Sequence, residues 1–171
     1  MLIFELDEDN KTACVIGNDE ASGDVLIPRS IIHKEQDFIV TSIMKEAFSK
    51  RKQISSIQFP SDSELTTIEE KAFYGTKIDG CIKFPPHVKQ IGEFTFGETY
   101  FTQVEISEDS ELQIIDKGIF YASPINSITI PSDIELKEGW CLDTYKLNDV
   151  KIIVKKKQNI KYYDNLIIGK I

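Results

Sequence analysis

The sequence predicts a mainly β solenoid, a right-handed superhelix of about five stacked rungs with a parallel concave sheet and an N-terminal β-hairpin cap. Two recurring phrases carry that prediction. An Ile followed five residues later by Phe appears as Ile43/Phe48, Ile68/Phe73, Ile91/Phe96 and Ile115/Phe120, then in worn form as Leu136/Cys141. After each comes apolar-x-x-apolar-x-apolar: Ile54/Ile57/Phe59, Ile78/Ile82/Phe84 with one extra residue, Phe101/Val104/Ile106, Ile125/Ile128/Ile130 and Leu147/Val150/Ile152. The Phe-to-Phe spacings are 25, 23 and 24 residues, and 21 more reach Cys141. A period in the low twenties around such a strand is the signature of a leucine-rich-repeat solenoid.

Residues 1–42 precede the regular repeat and read as its cap. Phe4-Glu5-Leu6, a turn at Asp7-Glu8-Asp9-Asn10, and Thr12-Ala13-Cys14-Val15-Ile16 form a hairpin pattern. Val25-Leu26-Ile27-Pro28 reads as a first rung strand, and Phe38-Ile39-Val40-Thr41 leads into the first full repeat. A cap is needed because the end of a solenoid otherwise exposes core and strand edge.

Residues 43–153 form the rungs. No rung buries its apolar face alone; stacking on its neighbours makes one continuous core. The core ladder is expected to consist of Ile43, Phe48, Ile68, Phe73, Ile91, Phe96, Ile115 and Phe120. In Ile57-Gln58-Phe59 the strand period of two puts Ile57 and Phe59 inside and Gln58 outside. The same holds for Ile82-Lys83-Phe84, Val104-Glu105-Ile106, Ile128-Thr129-Ile130 and Val150-Lys151-Ile152. These strands are expected to pair as one parallel sheet, ended in three rungs by Pro60, Pro85 and Pro131, which have no N–H to give. The other half of each rung, Glu69 to Gly75 or Asp116 to Phe120, reads as a tight helical or 3₁₀ turn. Ser63-Glu64-Leu65 and Ser110-Glu111-Leu112 repeat one connecting phrase verbatim. Residues 154–171 read as a closing cap, with Ile160-x-Tyr162-Tyr163 and Leu166-Ile167-Ile168 folding back as a hairpin. All three parts make one domain by length.

Composition fits this architecture. Ile outnumbers Leu 27 to 9, which suits short strands because β-branched side chains sit well on a pleated surface. Net charge is −8, yet residues 150–171 hold six Lys and one Asp, leaving the body strongly acidic. An acidic body argues against nucleic acid as a partner, since phosphate contact needs a basic face. The Lys155-Lys156-Lys157 cluster reads as a solvated turn. No apolar run approaches the ~18 residues of a membrane span, and Met1 to Asp9 lacks the basic start and longer apolar stretch of a secretory signal.

Candidate chemistry is sparse, and neither catalysis nor a cofactor is expected. His33 and His87 sit in turn-like stretches without the Cys, Asp or Ser spacing of a triad or metal site. Cys14, Cys81 and Cys141 are odd in number and widely spaced, so neither zinc nor a disulfide framework is indicated, and free thiols favour a reducing compartment. Glu69-Glu70 and Glu108-Asp109 fall in solvent-facing connections. Asp7 to Asn10 lacks the calcium-loop spacing, and Asn10-Lys11-Thr12 is a glycosylation triplet that matters only in an exported chain.

Ile-Gly-Glu-x-x-Phe (Ile91 to Phe96), Ile-x-x-x-Ala-Phe (Ile43 to Phe48 and Ile68 to Phe73) and Ser-Ile-x-x-Pro (Ser56 to Pro60, Ser127 to Pro131) resemble the BspA-like leucine-rich-repeat family. The resemblance runs from about Val25 to about Ile153 and departs from the pattern where Trp140-Cys141 replaces Ala-Phe. Members of that family are surface proteins of mucosal bacteria and anaerobic protists that mediate adherence, so the resemblance implies a protein-binding, adhesin-like role at a cell surface. It brings no catalytic residues. The alternative is an intracellular scaffold or component of a larger, for example cytoskeletal, assembly.

The binding face is expected on the outward strand positions, which form a rigid, evenly spaced array: Ser56, Gln58, Lys83, Gln103, Glu105, Ser127, Thr129 and Lys151, with Cys81 and Asp149 beside them. Tyr100, Tyr121, Tyr145 and Trp140 are expected on the turn side, packed against neighbouring rungs.

Overall fold

The computed structural model describes residues 1–18, 22–140, 150–156 and 159–163. The expectations for Cys141, Tyr145, Leu147, Asp149, Lys157 and Leu166 to Ile168 lie outside these residues. The described chain is built of strands and turns, with no helix.

The chain opens on the hairpin of β1 (Leu2–Asp7) and β2 (Thr12–Asn18), paired antiparallel. The Asp7 carboxylate shapes its turn, accepting from the N–H groups of Asp9 and Asn10, each at 3.0 Å. These bonds hold the Asp7 carboxyl below its ordinary range, the side-chain bond from Asn10 contributing most. β3 (Gly23–Leu26) follows, then a second hairpin of β4 (Ser30–His33) and β5 (Gln36–Ile43), closed by Lys34 and Glu35 at positive φ. The sequence carries no sign of this second hairpin, because its turn is Lys34-Glu35 rather than the Asn-Gly or Asp-Gly of a tight hairpin turn.

From here each rung splits between two sides. Longer strands line one: β6 (Ile54–Gln58), β8 (Asp79–Lys83), β10 (Tyr100–Glu105), β12 (Ser127–Pro131) and β14 (Lys151–Lys156). Two-residue strands line the other: β7 (Thr67–Ile68), β9 (Gln90–Ile91), β11 (Ile114–Ile115) and β13 (Glu135–Leu136). β15 (Asn159–Tyr163) turns back antiparallel on β14.

The long-strand side is two sheets rather than the single one expected. β8, β10, β12 and β14 pair in parallel, while β6 pairs with β3 instead of β8. The interruption falls at the rung with the extra residue, where Ile78 and Ile82 stand four apart and Gly80 adopts φ 77°. A register shift between Phe101 and Gln103 meets the opposite need. It turns Phe101 and Val104, three residues apart, to the same inner face, which a strict period of two forbids.

The turn side keeps the i→i−3 bonds of a 3₁₀ turn at alternate positions, Ala72 N–H on Glu69 at 3.3 Å and Tyr74 on Lys71 at 3.1 Å, but forms no helix among the described residues. Each turn instead places two residues at positive φ, four apart: Glu46 and Lys50, Lys71 and Gly75, Phe94 and Glu98, Gly118 and Ala122. A helical turn would close all its N–H groups within the rung; here only alternate ones do, and those between them reach the next rung. Phe48 N–H donates to the Ala72 carbonyl at 2.8 Å, Phe73 to Thr95 at 3.0 Å, Phe96 to Ile119 at 2.9 Å and Phe120 to Trp140 at 3.2 Å.

The core runs the length of the stack. Ile43, Ile68 and Ile115 are fully buried and Ile91 nearly so. Phe48, Phe73, Phe96 and Phe120 are fully buried, and their rings stack in file at 4.9, 5.4 and 5.9 Å between centroids. Trp140 meets the last ring edge-on at 6.2 Å. A polar file that the apolar pattern does not announce accompanies them: Thr76, Thr99 and Ser123, three residues after Phe73, Phe96 and Phe120. Thr76 and Thr99 donate to the Phe73 and Phe96 carbonyls, each at 2.9 Å. Its one sequence signal is the repeated spacing Phe-x-x-Thr/Ser.

Candidate functional site

The outward face of β8, β10, β12 and β14 is built by register. Cys81, Gln103, Ser127 and Lys151 form one row across the strands, and Lys83, Glu105, Thr129 and Ile153 a second. Neighbours within a row are about 4.8 Å apart. Gln103, Lys83 and Lys151 are exposed, while Glu105, Ser127 and Thr129 are half-buried. Lys83 Nζ and Glu105 Oε2 are 2.8 Å apart, and that contact holds the Lys83 ammonium above its ordinary range.

Ser56 and Gln58 do not join these rows. They lie on the β3–β6 pair, where Ser56 Oγ donates to Asp24 Oδ1 at 2.6 Å and Gln58 stands beside exposed Leu26. The expected face is therefore one block of six positions and a separate pair. Cys81 is an exposed thiol whose pKa is raised chiefly by partial desolvation.

Tyr100 corrects the sequence expectation. It opens β10 on the long-strand side, opposite Asp79, and is 55% exposed rather than packed in a turn. The face thus carries an aromatic residue. Tyr121 does lie on the turn side, its ring edge-on to Phe94 at 5.7 Å.

Other candidates make contacts between rungs or within their own turn. Glu70 pairs with Lys45 at 2.7 Å and Lys71 at 3.0 Å, which depresses its pKa, the Lys45 bond leading. Glu69 accepts the Lys45 N–H at 2.8 Å. His87 is not a bare turn residue: its Nδ1 lies 2.6 Å from Glu111 Oε1, and Glu111 also pairs with Lys89 at 3.1 Å. The two copies of Ser-Glu-Leu adopt one geometry, Leu65 and Leu112 donating their N–H to Ser63 and Ser110 Oγ at 3.3 and 3.2 Å.

A groove of about 470 Å³ opens between β9 and β11, which do not pair, lined by residues that include Lys89, Glu111, Ile114 and Asp116. Among the described residues no cluster of His, Cys, Asp and Glu is arranged to hold a metal ion, and no helix is long and apolar enough to cross a membrane.

Comparison with known proteins agrees with this architecture. The chain is similar over 90% of its length to the pneumococcal vaccine antigen PcpA, at 18% identity and a TM-score of 0.61, covering 48% of that chain. It is similar to a leucine-rich repeat protein from Eubacterium ventriosum (20% identity, TM-score 0.57, 90% of this chain and 42% of that one). A leucine rich cell surface protein from Faecalibacterium prausnitzii matches at 18% identity and TM-score 0.50, over 92% and 55%. The chain thus spans about half the length of these solved structures, and at such identities the likeness is one of fold. No curated protein sequence matches it. Residues 41–164 match six copies of the BspA type leucine rich repeat region, and the chain belongs to that family, whose stacked rungs present extended surfaces of the kind repeat proteins use for interaction.

Proposed function

We propose that this chain is a non-catalytic protein-binding module of the adhesin or surface-antigen type, and that its partner docks on the outward face of β8, β10, β12 and β14. The supporting observation is the pair of rows that meet at Lys83–Glu105 and Gln103–Ser127: parallel strands hold these side chains in fixed register over a rigid stacked core. The likeness in fold to a leucine rich cell surface protein supports the adhesin reading.

The test is site-directed photo-crosslinking. A photoreactive residue at Thr129 is expected to capture a partner that one at Glu98, on the turn side, does not. Charge reversal of both Lys83 and Glu105 is expected to abolish that capture without changing the melting temperature. Capture from Glu98 alone, or capture indifferent to the reversal, would refute the strand face as the docking surface. Protease shaving of intact source cells, with permeabilised cells alongside, separates the surface role from the scaffold alternative.

A further inference from the structure

Two neighbouring groups on this face have no use within the fold. Tyr100 and Asp79 are register partners at the start of β10 and β8, so their side chains leave the sheet on the same side about 4.8 Å apart. Both are exposed, and among the described residues neither side chain makes a hydrogen bond, ion pair or ring contact. This contrasts with Lys83 and Glu105 at the other end of the same strands, which neutralise each other.

The regular sheet stops short of the pair. β12 begins at Ser127, opposite Gln103, so no strand residue stands beside Tyr100 on the next rung. Gly80 follows Asp79, and nothing lies within 4 Å of the point a Cβ would occupy there. An aromatic face beside an unpaired carboxylate is the chemistry that holds a guanidinium: the plane stacks on the ring and the fork reaches the carboxylate. The chain's charge of −8 favours a basic surface opposite it.

We propose that Asp79 and Tyr100 form an anchor site for an arginine side chain of the protein partner. It deepens the reading above, resting on the strand face as the docking surface. Arginine is preferred to lysine because a compact ammonium gains less from a flat ring.

The test is an amide-resolved NMR titration of the full chain with the blocked tripeptide acetyl-Gly-Arg-Gly-amide, and with its citrulline counterpart. Saturable shifts are expected at Asp79, Gly80, Tyr100 and Phe101 with arginine and not with citrulline. Asp79→Asn and Tyr100→Leu should each weaken the dissociation constant about three-fold or more, whereas Tyr100→Phe should retain it. Shifts scattered over the acidic surface, or unmoved by Asp79→Asn and Tyr100→Leu, would overturn the proposal. The Lys83 and Glu105 reversals leave this site intact. Arginine binding that persists while crosslinking from Thr129 fails would therefore sink the docking face, and with it the anchor's role toward a partner, while crosslinking without arginine binding would sink only the anchor.

Discussion

The rings of Phe48 and Phe73 lie face to face, their centroids 4.9 Å apart and their planes 4° from parallel. They are 25 residues apart in sequence and one rung apart in space. Phe96 stacks on the far side of Phe73 in the same attitude, so each ring supplies the floor of the next. Offset stacking of this kind adds to the burial of a large apolar side chain.

Removing the middle ring should therefore cost more than removing an end one. Phe73→Ala is expected to destabilise the fold by about 3–5 kcal/mol, because the cavity opens onto two ring faces at once. Chemical denaturation measures it. A loss below about 1 kcal/mol would mean that the stack collapses to fill the gap.

Gly118 sits at φ 70° directly under Phe94, whose ring carbon lies 2.8 Å from the place a Cβ would take. Gly118→Ala meets two obstacles, the left-handed backbone and the ring, and should destabilise by about 1–3 kcal/mol. Adding Phe94→Ala removes only the steric part, so a double-mutant cycle should show coupling between the two sites. Additive effects would place the whole cost in the backbone.

Ser123 is fully buried and donates to the Phe96 carbonyl at 2.8 Å while accepting the Thr99 N–H at 3.1 Å. Ser123→Ala leaves that N–H without an acceptor in the core, at a cost of about 1–3 kcal/mol. Hydrogen exchange at the Thr99 amide should accelerate with it. An unchanged exchange rate would show that the Thr99 N–H has found another acceptor.

Tyr74 donates its hydroxyl proton to the Glu98 carboxylate, and this bond pushes the phenol pKa up to about 12 from 10. The folded value exceeds the unfolded one, so the stabilisation is fully present below about pH 10 and is lost as pH rises through about 12. Ultraviolet titration should find one phenol ionising in that window. Glu98→Gln should return it toward the ordinary tyrosine value, and Tyr74→Phe should flatten the alkaline limb of the stability curve. A titration in which all phenols ionise together near pH 10 would contradict the contact.

The repeat is legible in the sequence because its cause is local and periodic. A rung that cannot bury its own face must present Ile and Phe at nearly the same step each time, so the spacing of Ile43, Ile68, Ile91 and Ile115 is enough to announce the stack. The verbatim Ser-Glu-Leu connections, at Ser63 and Ser110, are readable for the same reason: one phrase, one turn. What the sequence leaves undecided depends on how one rung meets the next. A turn at Glu69 to Gly75 has the composition of a helical turn, and only the pull of carbonyls on the adjacent rung, such as Thr95 on the Phe73 N–H, makes it something else. The break between β6 and β8 and the register shift beside Thr102 come from single-residue differences in rung length, which count only once the rungs are aligned in space. The candidate anchor shows the same division. Nothing in the chain joins Asp79 to Tyr100 across 21 residues of sequence; parallel register alone brings them side by side.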